Sequence, residues 1–193
     1  NMCPEDLASK IENVKYVPKE RDYLTEEEAL TFIKAIKHPV VQVFTTTLFY
    51  TGVRVSEALA LSPEDVDLNL GWIHIKNGKG NKFRRIPICH KLKKVLLDYE
   101  QWRVDSYQYF ATEKTGSLSI GRVQAIIRET RENLGCKKHI TAHVFRHSFA
   151  SQLVKNDVNI VSISKLLGHS SLKTTSIYTH ASGEQLVDAV RML

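Results

Sequence analysis

Trp72-Ile73-His74-Ile75-Lys76-Asn77-Gly78-Lys79-Gly80-Asn81-Lys82-Phe83-Arg84-Arg85-Ile86-Pro87-Ile88 is the stretch that decides the fold class. Residues 72–75 and 83–88 read as two strands, and the glycines and asparagines between them have strong turn chemistry. Proline gives no N–H to a strand ladder, so Pro87 has to lie on an edge or at the strand's end. Lys79 sits in the glycine turn and can reach outward like a finger, although a solvated hairpin tip is the commoner fate of such a lysine. Gly78 and Gly80 allow a backbone to come close to a ligand. Lys76, Lys82, Arg84 and Arg85 thicken the positive charge and read as phosphate contacts that set position rather than sequence.

On either side of this stretch the pattern is helical. Thr25 with Glu28 matches a capping box, and Leu30, Ile33 and Ile36 follow with helical period. Pro39 suits the first turn of a second helix carrying Val43, Phe44 and Leu48, and Gly52 suits its end. A short helix over 54–60 stops at Ser62-Pro63. Leu92, Val95, Leu96, Tyr99 and Trp102 mark another amphipathic helix, followed by a weakly patterned loop over 103–118. Helices are expected over 119–134, 143–156, 159–167, 171–178 and 184–192. The fold class is thus mainly α with a small antiparallel β-sheet, an α+β domain. Residues 1–22 are polar, contain Pro4 and Pro18, and read as a linker into a domain over 23–182. Residues 183–193 read as a C-terminal helix with Leu186, Val187, Val190 and Leu193 as its apolar stripe.

With 193 residues, 42% of them hydrophobic, the chain fits one globular domain with a tail. About 70% of the unfolded surface can be buried at this size, so a core needs no disulfides. Three cysteines without a Cys-x-x-Cys pair read as free thiols, not a disulfide frame or a zinc site. The net charge of +6 arises from 27 basic and 21 acidic residues, which favours a polyanionic partner and a basic groove over an all-round basic coat. No apolar stretch has the length of a membrane span and no leader opens the chain, so the expected location is cytoplasmic, on the nucleoid.

Tyr178, Arg54, Arg146, His143, His169 and Lys79 together suit cleavage of a phosphodiester. A free phenol has a pKa near 10, so supplying a tyrosinate at pH 7 costs about 4 kcal/mol. Arginines lower that cost and bind non-bridging oxygens with forked hydrogen bonds. Each well-placed donor to a developing oxyanion contributes on the order of 3 kcal/mol, so several donors can support the reaction without a metal. A lone arginine is usually a surface ion pair. Arg54 departs from that because it follows a glycine helix break in an apolar stretch, with Glu57 one turn on to orient it. His143 and Arg146 share a helical face, while His147 lies on the neighbouring face and suits the core. His169 follows Leu166-Leu167-Gly168, a helix end that exposes its ring at a loop.

In order and spacing, these fragments resemble the catalytic domain of the tyrosine site-specific recombinases, the phage-integrase and Xer-type group. The resemblance covers about residues 24–193. It rests on Thr51-Gly52-Val53-Arg54-Val55-Ser56-Glu57, on Gly78 to Lys82 leading to Ile86-Pro87, on His143-Val144-Phe145-Arg146-His147-Ser148, on Leu166-Leu167-Gly168-His169, and on Tyr178-Thr179-His180. It implies that Tyr178 attacks the scissile phosphate to form a 3′-phosphotyrosyl link. It further implies that Arg54 and Arg146 clamp the non-bridging oxygens, Lys79 protonates the leaving 5′ oxygen, His143 assists proton transfer and His169 hydrogen-bonds the phosphate. All six positions are filled. The implied partner is a double-stranded DNA recombination site bound by a homo-tetramer, with exchange of C-terminal segments as one mode of assembly, and no cofactor, metal or small-molecule substrate. Relatives in this group usually carry an N-terminal core-binding domain. Residues 1–22 then read as a remnant of the linker to it, and DNA affinity is expected to be weaker than that of a longer protein. A type IB topoisomerase-like strand relaxation and a non-catalytic DNA-binding module are the alternatives.

Overall fold

A computed structural model describes residues 23–76 and 83–169 of the chain. Within them run α1 (Glu26–Ala35), α2 (Pro39–Thr51), α3 (Val55–Leu59), β1 (Val66–Asp67), β2 (Trp72–Ile75), β3 (Arg84–Pro87), α4 (His90–Glu100), α5 (Ile120–Asn133), α6 (Ala142–Lys155) and α7 (Ile160–Leu167). The expected class, mainly helical with one small antiparallel sheet, is the observed one. The linker at 1–22, the turn at 77–82 and the helices at 171–178 and 184–192 lie outside the described residues.

Local chemistry sets the helix ends. The Glu28 N–H donates to Thr25 Oγ1 at 3.2 Å, and Glu28 Oε2 accepts from the Thr25 N–H at 2.9 Å, closing the capping box of α1. Pro39 opens α2, and Gly52 ends it with φ of 62°. A Cβ at Gly52 would collide with Phe149 Cδ1 and lie 2.9 Å from Leu167 Cδ2, so this turn also needs glycine to let α6 and α7 close on it.

Helix α2 is the central element, with Val41, Phe44, Leu48 and Phe49 almost wholly buried and α6 packed along it. Its buried Thr46 and Thr47 hydroxyls donate to the carbonyls of Gln42 and Val43, four residues back. Such back-bonding is what makes a run of threonines tolerable inside a helix core. Phe32 of α1 meets Phe145 of α6 at 5.9 Å, and Phe110 meets Phe44 edge-on at 5.2 Å. The segment after α4 has no regular element, as expected, but it is not peripheral. Tyr109, Phe110, Ala111 and Leu118 are buried, Tyr99 donates its hydroxyl to the Tyr109 carbonyl at 3.0 Å, and the Tyr109 N–H bonds the Leu61 carbonyl at 2.7 Å.

The sheet has the order β1-β2-β3 and is antiparallel throughout. Strand β1 was not foreseen, because two residues after a 3₁₀ turn (Pro63–Asp65) show no period. Pro87 closes the edge strand β3, where its missing N–H costs no ladder bond. Ile73 pairs with Ile86 and Ile75 with Arg84. Side chains alternate across a strand, so Arg84 shares the inward face with buried Ile86, while Arg85 points the other way over the Trp72 ring at 5.2 Å. No helix among the described residues is long and apolar enough to cross a membrane.

Candidate active site

Helix α7 ends at Gly168, which adopts φ of 65°. The last carbonyls of a helix have no partner within it and carry its partial negative charge. Here three successive ones each accept from a different arginine. The Leu166 carbonyl accepts from Arg84 Nε at 3.0 Å, that of Leu167 from Arg146 Nη2 at 2.8 Å, and that of Gly168 from Arg54 Nη2 at 3.3 Å. Three distant segments of the chain are thereby gathered at one helix end, and the expected pair Arg54 and Arg146 is among them.

Arg146 is buried, only 7% exposed. Its Nη1 also donates to the Gly52 carbonyl, and its Nη2 lies 3.0 Å from His169 Nε2. An arginine can only donate, so His169 accepts at Nε2 and its ring proton sits on Nδ1. Burial, then the positive charges of Arg146, Arg54, Arg84 and His147, lower the pKa of His169 to about 4. The ring is therefore neutral near pH 7. His147, assigned to the core by spacing alone, is half-buried and close enough to His169 to act on its titration. One residue of helical offset from Arg146 does not carry it away from the site.

Arg54 is the N-cap of α3, and its own N–H donates to Glu57 Oε2 at 2.8 Å. Its side chain bonds Glu57 Oε1 at 2.8 Å and stays 27% exposed. Glu57 thus orients Arg54 as expected, but it holds Arg84 as well. Its Nη1 and Nη2 meet Glu57 Oε1 and Oε2 at 3.0 and 2.7 Å. Burial alone would raise the Glu57 pKa, but the Arg84 hydrogen bonds, the Arg54 N–H, the Arg84 charge and the Arg54 side-chain hydrogen bond outweigh it and hold it at about 2. Arg84 is therefore not the surface phosphate contact the sequence suggested, because strand alternation turns it inward. Lys76 is paired as well, with Asp65 Oδ1 at 2.7 Å.

His143 lies exposed in the first turn of α6. It lines a cleft of about 400 Å³ together with Arg54 and Ser56 on one side, and Arg128, Arg131 and His139 on others. Three arginines thus line the cleft beside apolar Val55, Ile127 and Ile140. Four of the six expected site residues, Arg54, His143, Arg146 and His169, converge on this region. Lys79 and Tyr178 fall outside the described residues. Lys79 lies five positions before the inward-turned Arg84, and Tyr178 nine positions after His169. Among the described residues no three His, Cys, Asp or Glu side chains are grouped to hold a metal ion.

Residues 22–185 match the Phage integrase family. The chain belongs to that family. Among its phage integrase relatives, the tyrosine recombinase XerA of Pyrococcus furiosus is 34% identical over 189 residues, which are 95% of this chain and 65% of the relative. A tyrosine recombinase of Thermosipho africanus is 30% identical and matches 100% of this chain and 69% of its own length. The chain thus spans about two thirds of the curated relatives it matches. The crystal structure of XerA recombinase superposes with a TM-score of 0.75 at 31% identity, covering 91% of this chain and 66% of that one. XerH recombinase bound to its difH substrate gives 0.71 at 27% identity, over 96% of this chain and 58% of that one. The fold is that of the catalytic domains of tyrosine recombinases.

Proposed function

We propose that this chain is the catalytic part of a site-specific recombinase that cleaves and rejoins DNA through a 3′-phosphotyrosyl intermediate. The observation that carries the reading is the convergence of Arg54, Arg146 and His169 on the end of α7, beside a basic cleft lined by His143. Two guanidiniums and a neutral imidazole are suited to a phosphodiester that gains negative charge during attack. Tyr178 attacks phosphorus and its proton leaves with help from His143. The P–O5′ bond breaks, and Lys79 gives its proton to the departing 5′ oxygen. A 5′-hydroxyl from the partner strand then attacks the phosphotyrosine, and the reverse transfers reseal the backbone. The energy of the broken bond is kept in the new one, so neither ATP nor a metal takes part.

The names of the relatives, XerA and other tyrosine recombinases, favour strand exchange over simple relaxation, and XerH provides a relative bound to its DNA substrate. A double-stranded recombination site is thus the partner, held by a homo-tetramer at the nucleoid in the cytoplasm. We further propose that residues 183–193 serve to dock the chain on a neighbouring protomer and that residues 1–22 lead in from a core-binding domain. Incubation with a nicked suicide duplex tests the reading. Wild type accumulates a covalent protein–DNA complex in the presence of EDTA, and Tyr178→Phe does not. Trapping that survives the substitution, or that EDTA abolishes, contradicts it.

A further inference from the structure

Arg84 is none of the six residues that the reaction names, yet it makes more side-chain contacts to Glu57 than Arg54 does. Its two terminal nitrogens form a fork on both carboxylate oxygens, at 3.0 and 2.7 Å, whereas the Arg54 side chain reaches only Oε1, at 2.8 Å. Its remaining nitrogen, Nε, is spent on the Leu166 carbonyl. The burial order is also telling. The side chains of Glu57, Arg84 and Arg54 are 4%, 11% and 27% exposed, so Arg84 lies deeper than Arg54, and of the three Arg54 lines the cleft.

The arrangement has a charge consequence. Glu57 carries one negative charge in a buried position directly beside Arg54. Facing Arg54 alone, it would cancel that guanidinium's charge and present a carboxylate to an incoming phosphate, and two anions repel strongly away from water. With the Arg84 fork on both its oxygens, the carboxylate is matched before Arg54 is counted. We propose that Arg84 is a positioning residue of the cleavage site, occupying the Glu57 carboxylate so that Arg54 keeps its full positive charge toward the scissile phosphate. The idea rests on the reading of Arg54 as a phosphate ligand given above.

Charge rescue is the decisive test, because a merely structural role does not produce it. Covalent-complex formation is timed on a nicked suicide duplex for wild type, Arg84→Gln, Glu57→Gln and the double variant, as a complete cycle. Arg84→Gln is expected to slow trapping by about 10- to 100-fold, the range for residues that act through another ligand. Adding Glu57→Gln removes the anion that Arg84 served while leaving one amide oxygen for Arg54 to donate to, so the double variant recovers part of that loss and stays slower than wild type. A double variant no faster than Arg84→Gln overturns the proposal. A second duplex with sulfur replacing the bridging 5′ oxygen releases a thiolate, which needs no proton to leave because thiol pKa values lie near 8.5. The Arg84→Gln defect should persist on it. Recovery there would mean that Arg84 acts through Lys79, five positions earlier in the chain, and the proposal fails. Arg84→Lys keeps the charge on a smaller head group and guards against a variant that does not fold. It should trap faster than Arg84→Gln, and equal rates overturn the charge argument. If wild type forms no covalent complex, the recombinase reading fails, and the charge claim is still decided by adding inorganic phosphate and following the Arg54 Nε–H resonance. Phosphate then shifts it in wild type, less in Arg84→Gln, and again in the double variant, and absence of that recovery contradicts the proposal.

Discussion

Arg84 and Gly168 occupy adjoining space that a side chain on residue 168 would invade: a Cβ there would lie 2.9 Å from the guanidinium carbon. The same glycine holds φ of 65°, a conformation that other residues adopt only under strain. Helix end and arginine cluster therefore depend on one hydrogen atom in place of a methyl group.

Gly168→Ala should cost about 1–3 kcal/mol in urea unfolding from backbone strain alone, with the displaced guanidinium adding to it. It should also slow covalent trapping, since the Leu166 carbonyl loses its arginine. A variant with unchanged unfolding midpoint and rate would show that the cluster tolerates a shift of this helix end.

Glu57 is a buried anion between two cations, so removing it leaves positive charge uncompensated. Glu57→Ala is expected to lose about 3–5 kcal/mol of stability. Glu57→Gln keeps the shape and one acceptor oxygen and should lose clearly less. Equal losses, measured by urea titration at pH 7, would place the contribution of Glu57 in packing and not in charge.

Stability should fall on acidification in two overlapping stages. His169 binds its proton at about 4 in the fold against 6.5 in the open chain, so the unfolded state takes up protons first and stability drops as pH falls from 6.5 to 4. Glu57 titrates at about 2 against 4.5, so its contribution is complete above 4.5 and is lost as pH falls toward 2. His169→Gln should flatten the upper stage, leaving the share of His38, whose pKa is lowered by burial and then by Arg122. A denaturation series across this range that is unchanged by His169→Gln would contradict the neutral, arginine-crowded imidazole.

The irregular segment after α4 should unfold with the core and not as a loose loop. Phe110, 1% exposed and edge-on to Phe44, should cost about 3–5 kcal/mol when changed to alanine. Hydrogen exchange at the Tyr109 amide should track global unfolding, and early exchange there would show the loop detaching on its own.

Helix ends and the hairpin strands were legible in the sequence because caps, prolines and periods are local signals. Thr25 with Glu28, Pro39, Gly52 and Gly168 all act where their patterns place them. What stayed hidden were contacts between distant segments. Strand alternation could have placed Arg84 on the face of Ile86, but its run of basic neighbours read as a surface patch. Nothing local shows that Glu57 waits on that face, 27 residues earlier in the chain. His147 was misjudged for a related reason, since its neighbour His169 belongs to another helix end. The aromatic anchors Tyr109 and Phe110 were missed because a buried loop has no period to betray it.

The central claim is that the arginines and His169 at the end of α7 prepare a phosphate for attack by Tyr178. Peptide mapping of the trapped complex by mass spectrometry, with sequencing of the attached strand, tests this directly. The account predicts a single modified peptide in which Tyr178 carries the 3′-phosphate, with a free 5′-hydroxyl on the released fragment. A link through another residue such as the exposed Tyr107, or a link to the 5′ end, would contradict it.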